Sequence, residues 1–223
     1  MSPPGPSHRS APDTAAAWRV CRNTLPEVSR TFSLTIRVLP APLRDPVTVA
    51  YLLCRMADVL EDATAADPAQ RIDGLERLAE AIGRPAGRPA ELCASLDGFE
   101  DLAGVDAGGA RLLERRAAVF AAYAVLPPVE RAIIARWVQA MALGMASYVD
   151  RERRRRNALG LGRGNVAASA AAAAFRDGDG VTGPHDDPCP AAVPFVLGTA
   201  EELRAYAWYV AGTVGHLLTE LFE

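Results

Sequence analysis

Hydrophobic residues recur at three- and four-residue spacing along most of the chain, whereas runs typical of β-strands are scarce. This pattern predicts helices over residues 14–25, 46–62, 68–82, 90–96, 110–124, 128–151 and 199–223. The segment 28–39 is rich in β-branched residues, and its propensity fits either a helix or a strand. Most of the chain is therefore predicted to be helical.

The helix predicted over residues 46–62 carries a polar stripe. It starts with Pro46 at a position typical of the first helical turn, and a turn signal follows at residues 67–68. Most of its positions are apolar, which predicts a largely buried helix. One face instead carries four polar residues at helical spacing, with Glu61 beside them: Tyr51, Arg55, Asp58 and Asp62. A polar stripe on a buried helix predicts a wet cavity.

Three carboxylates crowd the end of this helix. Asp58 and Asp62 are like charges four residues apart, and the helix macrodipole disfavours anions at this end by roughly 0.3–1 kcal/mol each. Mg²⁺ would offset this cost, because it binds carboxylate oxygens and bridges them to substrate phosphates. A solvated acidic helix end accounts for the same spacing equally well. The spacing alone leaves both interpretations open.

Composition and charge narrow the classes of partner. The formal net charge of −3 gives no bias towards nucleic acid or an anionic membrane. The four cysteines are far apart and lack the spacing of a zinc site or a redox pair. The N-terminus has no apolar signal region, and no run reaches the roughly 18 apolar residues of a membrane span. We expect a cytoplasmic protein that binds no nucleic acid, while peripheral contact with a membrane stays open.

Composition also divides the chain into regions. Residues 1–13 are expected to be a disordered tail, and residues 153–198 a low-complexity, disordered insertion. The arginine run at residues 153–156 is expected to be a solvated charged boundary. Order returns where Thr199 and Glu202 form a capping box. The helix that follows has no stop signal before the last residue, so we expect the chain to end within a domain.

The last predicted helix carries two tyrosines on one face. Tyr206 and Tyr209 lie there with Val210 and Thr213. A tyrosine in this setting suits a general acid or base, or a π-face for a cation. Ordinary helix packing, with the hydroxyl groups at a wet edge, explains the pattern as well.

Four motifs occur in a fixed order along the chain. They are Ser29-Arg-Thr-Phe-Ser33, the stretch from Tyr51 to Asp62, Gly144-Met-Ala-Ser-Tyr148, and the stretch from Tyr206 to Gly215. Together they resemble the squalene/phytoene synthase family, from about residue 24 onwards and apart from residues 153–198. The resemblance is closest to squalene synthases. It implies an all-α isoprenoid synthase fold, with helices around a central cavity, formed here by residues 14–152 and 199–223.

The resemblance implies a metal site at the acidic helix end. Asp58, Glu61 and Asp62 match the first of two aspartate-rich motifs that hold Mg²⁺ against a prenyl diphosphate. In the family the second motif lies downstream of the segment that ends at Gly215. No helix-borne Asp-x-x-x-Asp follows Tyr148 in this sequence. We therefore expect half of the metal site and a fold that is incomplete at its C-terminus.

The resemblance also implies roles for other residues. Arg55, Arg30 and Ser29 match positions that contact the diphosphate, a task for which a guanidinium fork is well suited. Tyr209 matches the tyrosine assigned to the first half-reaction, in which Asp58 and Asp62 also act. Tyr51 lines the same cavity and is expected to help bind the diphosphate.

The reaction implied by the resemblance joins two prenyl diphosphates, with farnesyl diphosphate favoured, head to head through a cyclopropyl diphosphate. Squalene formers then use NADPH, whereas phytoene or dehydrosqualene formers lose a proton. Glu61 and the Ser-Arg-Thr-Phe motif resemble squalene synthases more closely. A phytoene or dehydrosqualene synthase is one alternative, and a catalytically inactive helical partner subunit is another. The residues do not decide the oligomeric state.

Overall fold

The computed structural model describes residues 13–84, 89–158 and 199–223. These residues form helices and no strands. The helices are α1 (Thr14–Val28), α2 (Arg30–Arg37), α3 (Ala41–Asp62), α4 (Pro68–Gly83), α5 (Pro89–Ala94), α6 (Ala107–Glu114), α7 (Arg116–Ala124), α8 (Pro128–Ala158), α9 (Ala200–Ala207), a π-helical turn (Trp208–Gly212) and α10 (Thr213–Phe222). The prediction of a helical protein is confirmed.

Side-chain caps start several of these helices. Ser29 accepts a hydrogen bond of 3.2 Å from the Phe32 amide and starts α2, which settles the ambiguous segment 28–39 as mainly helix. Asp67 caps α4 in the same way, and Thr199 accepts from the Glu202 amide at 3.1 Å. The capping contact predicted at Thr199 is thus present.

The acidic helix starts earlier than its sequence predicts. α3 begins at Ala41, so Pro46 lies inside the helix and not in its first turn. Pro42 takes the first-turn position, where the missing N–H would have no intrahelical partner. The first predicted helix likewise extends beyond its expected end at residue 25, with Pro26 near its C-terminus.

Two helices predicted as continuous are interrupted. The segment 110–124 divides at Arg115 into α6 and α7. Buried Arg116 lies just beyond this break and donates to Asp97, Glu100 and two backbone carbonyls. The final helix contains the π-helical turn, a feature that hydrophobic periodicity does not signal.

Helix α8 continues past its predicted end at residue 151, so the expected insertion boundary at Arg153 falls inside a helix. Arg153 and Arg154 pair with Asp150, and Arg156 pairs with Glu152. These contacts at three- and four-residue spacing suit a helix. The rest of the expected insertion, residues 159–198, and residues 1–12 of the expected tail lie outside the described residues.

The core forms where α8 packs against α4, α3 and α10. Helix α3 contributes several fully buried side chains: Leu52, Leu53, Met56 and Leu60. Burial of each stabilises the fold by about 1.5–3 kcal/mol. By length and composition alone, α8 could also cross a membrane, but half of its apolar window is already buried inside the protein, as in many core helices.

Candidate functional site

The carboxylates at the end of α3 surround one guanidinium group. Arg55 Nη1 lies 3.7 Å from Asp58 Oδ2 and 4.0 Å from Asp62 Oδ2. Its Nη2 lies 3.6 Å from Oδ2 of Asp106, the residue that caps α6. Arg55 therefore offsets part of the like-charge repulsion that the spacing of the aspartates predicts.

Burial changes the acidity of two of these carboxyl groups. It raises the pKa of Asp58 to about 6, although the charge on Arg55 opposes the shift. Burial raises the pKa of Glu61 to about 7, against a hydrogen bond from Tyr206 that lowers it. The side chain of Asp62 is 74% exposed. The end of α3 thus places two partly desolvated carboxyl groups beside a solvated one. A fully solvated acidic helix end, the alternative that the sequence left open, does not describe this arrangement.

Tyr206 joins the last part of the chain to this cluster. Its hydroxyl donates a hydrogen bond of 3.1 Å to Glu61 Oε1. Its ring packs edge-on against Tyr148 of α8, with ring centroids 5.1 Å apart. The sequence placed Tyr206 on a helix face without a partner, because a contact across 145 residues leaves no periodic signal.

Tyr209 packs against Tyr148 and Gly144 of α8. Its ring centroid lies 6.2 Å from that of Tyr148. A Cβ atom on Gly144 would come within 2.2 Å of the Tyr209 ring, so Gly144 leaves the space that this tyrosine occupies. The π-helical turn carries Tyr209, and such turns often occur at functional sites.

Polar contacts dock α9, which contains no buried residue. The carboxylate of Glu202 pairs with Arg151 at 3.1 Å and with Arg155 at 3.2 Å. The hydroxyl of Tyr148 donates to the Glu202 carbonyl at 3.3 Å. Tyr206 follows Glu202 by one helical turn. The arginines at the end of α8 therefore position Tyr206, and Arg155 is more than the solvated boundary residue that the sequence suggests.

A cavity of about 190 Å³ lies behind the carboxylates, bounded by α3, α4, α8 and α9. Its lining includes Glu61, Asp62, Tyr148 and Tyr206, so of the predicted polar stripe only Asp62 borders this cavity. It also includes Arg71, a buried residue of α4 that the sequence analysis did not single out.

Other residues expected in the site lie nearer the start of α3. Tyr51 is one turn before Arg55, and its ring packs against Phe32 at a centroid distance of 5.2 Å. Ser29 serves as the cap of α2, and Arg30 is exposed. Within the described part of the chain, no hydrogen bond or ion pair connects Ser29, Arg30 or Tyr51 to the carboxylates.

The donor set fits a hard divalent cation, because Asp58 and Glu61 offer partly desolvated oxygen ligands, and the charge on Arg55 counters the raised pKa of Asp58 only in part. Across residues 13–84, 89–158 and 199–223, no three His, Cys, Asp or Glu side chains converge closely enough to hold a metal by themselves. A cation here would therefore need ligands beyond these described residues. Mg²⁺ suits this arrangement, since it usually keeps waters and takes substrate phosphate oxygens besides one or two carboxylates.

Comparison with known proteins assigns the chain to a family. The sequence profile of the squalene/phytoene synthases matches residues 25–223. The chain belongs to the squalene/phytoene synthase family. The resemblance read from the four motifs, including the closeness to squalene synthases, is thus confirmed.

The curated relatives match part of the chain. Squalene synthase BSS of Botryococcus braunii is 34% identical over 131 residues, which are 59% of this chain and 26% of that protein. Squalene synthase of Nicotiana benthamiana is 46% identical over 48 residues, or 22% of this chain and 12% of that protein. Lycopaoctaene synthase of B. braunii is 47% identical over 47 residues, or 21% and 11%.

The fold matches solved squalene synthase structures. A complex of TcSQS with the ligand BPH1237 superposes with a TM-score of 0.60 at 24% sequence identity. The match covers 93% of this chain and 44% of the TcSQS chain. The isoprenoid synthase fold that the resemblance implied is therefore confirmed.

Proposed function

We propose that this chain contributes the diphosphate-binding and ionising site of a head-to-head prenyltransferase. The observation that supports the proposal most strongly is the packing of Glu61, beside Asp58 and Asp62, against Tyr206 in a shared cavity. This arrangement joins two of the family's motifs, far apart in sequence, around partly desolvated carboxylates. The favoured substrate is farnesyl diphosphate, which supplies both halves of the product.

In this proposal, Asp58 and Asp62 hold Mg²⁺, with Glu61 as an additional ligand. The bound ion would supply Lewis-acid stabilisation of the leaving diphosphate. Arg55 donates hydrogen bonds to phosphate oxygens, a role for which its contacts with the two aspartates and Asp106 hold the guanidinium in place.

Residues at the start of α3 and in α2 extend the binding site. Ser29 and Arg30 contact the distal part of the diphosphate, and Arg30 is free to turn because it is exposed. Tyr51 helps to bind the diphosphate, and its ring packs against Phe32. These three residues would bind the diphosphate at some distance from the carboxylates at the end of α3.

The aromatic residues of α8, α9 and the π-helical turn complete the chemistry. Loss of diphosphate leaves an allylic cation, which the aromatic ring of Tyr206 stabilises. The double bond of the second prenyl diphosphate attacks this cation. Tyr209, whose ring lies beside Tyr148, takes part in the proton loss that closes the cyclopropane ring.

We further propose squalene as the product, with NADPH supplying hydride in the second half-reaction. The names of the relatives support this choice, since two of the three described above are squalene synthases. Product analysis with and without NADPH tests it. A C40 product, or a product that does not change with NADPH, would instead assign the chain to the phytoene or dehydrosqualene synthases.

Release of pyrophosphate from farnesyl diphosphate tests the core of the proposal. We expect Mg²⁺-dependent release by the chain, and a loss of at least about a hundredfold in Asp58→Asn. Glu76→Gln, an exposed position on α4, is the matched control and should keep the rate. Binding of farnesyl diphosphate without any pyrophosphate release would reject the enzyme and identify a prenyl-binding partner subunit.

A further inference from the structure

Arg71 has a buried guanidinium group that finds no hydrogen-bond partner among the described residues. The residue is 5% exposed, and its Nε is fully buried and unsatisfied. Its one ion pair joins Nη1 to Glu152 Oε2 at 3.6 Å, which is too long for a hydrogen bond. Within the described residues its side chain makes no other polar contact. A buried donor left unpaired costs about 1–3 kcal/mol, and more when it is charged.

Arg71 lines the cavity behind the carboxylates and is the cationic residue among those that form its wall. The cavity volume of about 190 Å³ exceeds that of a single water, whose share of liquid volume is about 30 Å³. It has room for a phosphate group with some of its waters. An acceptor in this cavity would give the Nη groups of Arg71 a hydrogen-bond partner closer than Glu152, which lies 3.6 Å from Nη1.

The charges around Arg71 limit what that acceptor can be. Glu61, Asp62 and Glu152 line the same cavity, so its wall repels a bare anion. An anion accompanied by a divalent cation avoids this repulsion, because the cation neutralises the carboxylates. A metal-bound diphosphate therefore suits the cavity better than free phosphate or a carboxylate ligand.

We propose that Arg71 binds a phosphate oxygen of the diphosphate group through its Nη donors, from behind the Asp58–Asp62 cluster. This inference rests on the proposed function and adds a residue to the binding site. Arg55 and Arg71 then approach the diphosphate from two different helices, α3 and α4. Glu152, which also pairs with Arg156 at 3.2 Å, acts as a positioning residue for Arg71.

Calorimetric titration of the full chain with inorganic pyrophosphate in the presence of Mg²⁺ tests the proposal. We expect Arg71→Gln and Arg71→Lys to weaken binding, by about ten- to a hundredfold for the glutamine variant. Arg77→Gln is the matched control on the same helix, since Arg77 is exposed and paired with Asp73 at 2.9 Å. It should change the affinity by less than about twofold.

The Arg71 side chain also offers a direct signal in the unmodified protein. The NMR signal of its Nε–H group can be identified because it is lost in Arg71→Lys. This signal should shift when Mg²⁺ and pyrophosphate are added together, and it should not shift when either is added alone. This measurement does not depend on the folding of a glutamine variant. An unchanged resonance when Mg²⁺ and pyrophosphate are both saturating would overturn the proposal.

A parallel titration with farnesyl thiodiphosphate, a substrate analogue that does not ionise readily, compares the binding of the substrate with the binding of the released pyrophosphate. Arg71→Gln should weaken both ligands by the same factor, because the contact is with phosphate oxygens. Weakening of the prenyl ligand alone would overturn the proposal. If Asp58→Asn abolishes binding while Arg71→Gln does not change it, the inference fails and the proposed function stands. If the unmodified chain does not bind Mg²⁺ and pyrophosphate, both fail.

Discussion

The hydroxyl of Tyr206 donates a hydrogen bond of 3.1 Å to Oε1 of Glu61 and so joins α9 to the acidic end of α3. Burial raises the pKa of both groups, and the hydrogen bond favours the charged form of Glu61. Removing the hydroxyl should therefore raise the pKa of Glu61 further above about 7.

Tyr206→Phe tests this relationship. We expect the Glu61 carboxyl to titrate at a higher pH than in the unmodified protein, and Mg²⁺ binding near pH 7 to weaken about three- to tenfold. Carbon NMR of the labelled carboxyl group measures the first effect. Tyr209→Phe is the control, because the Tyr209 hydroxyl makes no hydrogen bond with Glu61 in the described residues. Equal shifts in both variants would contradict the assignment.

Stability should fall as pH rises through the range where Glu61 ionises. The folded-state pKa, about 7, lies above the ordinary value of 4.5, so protonated Glu61 favours the folded state. Its contribution is present below about pH 4.5 and is lost as pH rises through 7, by at most about 3 kcal/mol. Urea unfolding between pH 4.5 and 7.5 should show a shallower decline in Glu61→Gln than in Glu76→Gln. Parallel curves would contradict this sign.

Gly144→Ala should disturb the packing of Tyr209. The added Cβ would lie 2.2 Å from the ring, so we expect a loss of about 1–3 kcal/mol in the free energy of unfolding. Gly215→Ala is the control, since nothing lies within 4 Å of its Cβ position, and it should stabilise the helix by up to about 1 kcal/mol. The double variant Gly144→Ala with Tyr209→Ala should lose less than the sum of the single variants. Simple additivity would show that the two residues do not contact each other.

Glu202→Gln should loosen α9. The pairs with Arg151 and Arg155 are partly exposed, so each contributes about 0.2–1 kcal/mol. Hydrogen exchange of the α9 amides should quicken about three- to tenfold, and high salt should quicken it in the unmodified protein as well. Glu201→Gln, an exposed neighbour, should leave exchange unchanged. An effect of equal size at Glu201 would show that the helix dipole, and not the ion pairs, governs docking.

The sequence predicted the helices whose signals are local. The apolar spacing of α4 and the capping residue Thr199 involve residues within one or two helical turns of each other. Such local signals can be recognised in the sequence, and the structure contains both helices. The predicted start of α3 was wrong, and so was the prediction of one continuous helix over residues 110–124. Both features depend on contacts with residues that are distant in the sequence. Pro46 is tolerated inside a packed helix, and buried Arg116 has partners up to 23 residues away.

By itself, the sequence determined that Asp58, Glu61 and Asp62 share one end of a helix, and that the chain carries the ordered motifs of its family. Helical periodicity fixes such placements along one element. The tertiary structure alone decided that Tyr206 bonds to Glu61, that Gly144 makes room for Tyr209, and that Arg71 lies buried behind the carboxylates with its Nε unsatisfied. These relationships join residues from different helices, and only the packing of those helices brings them together.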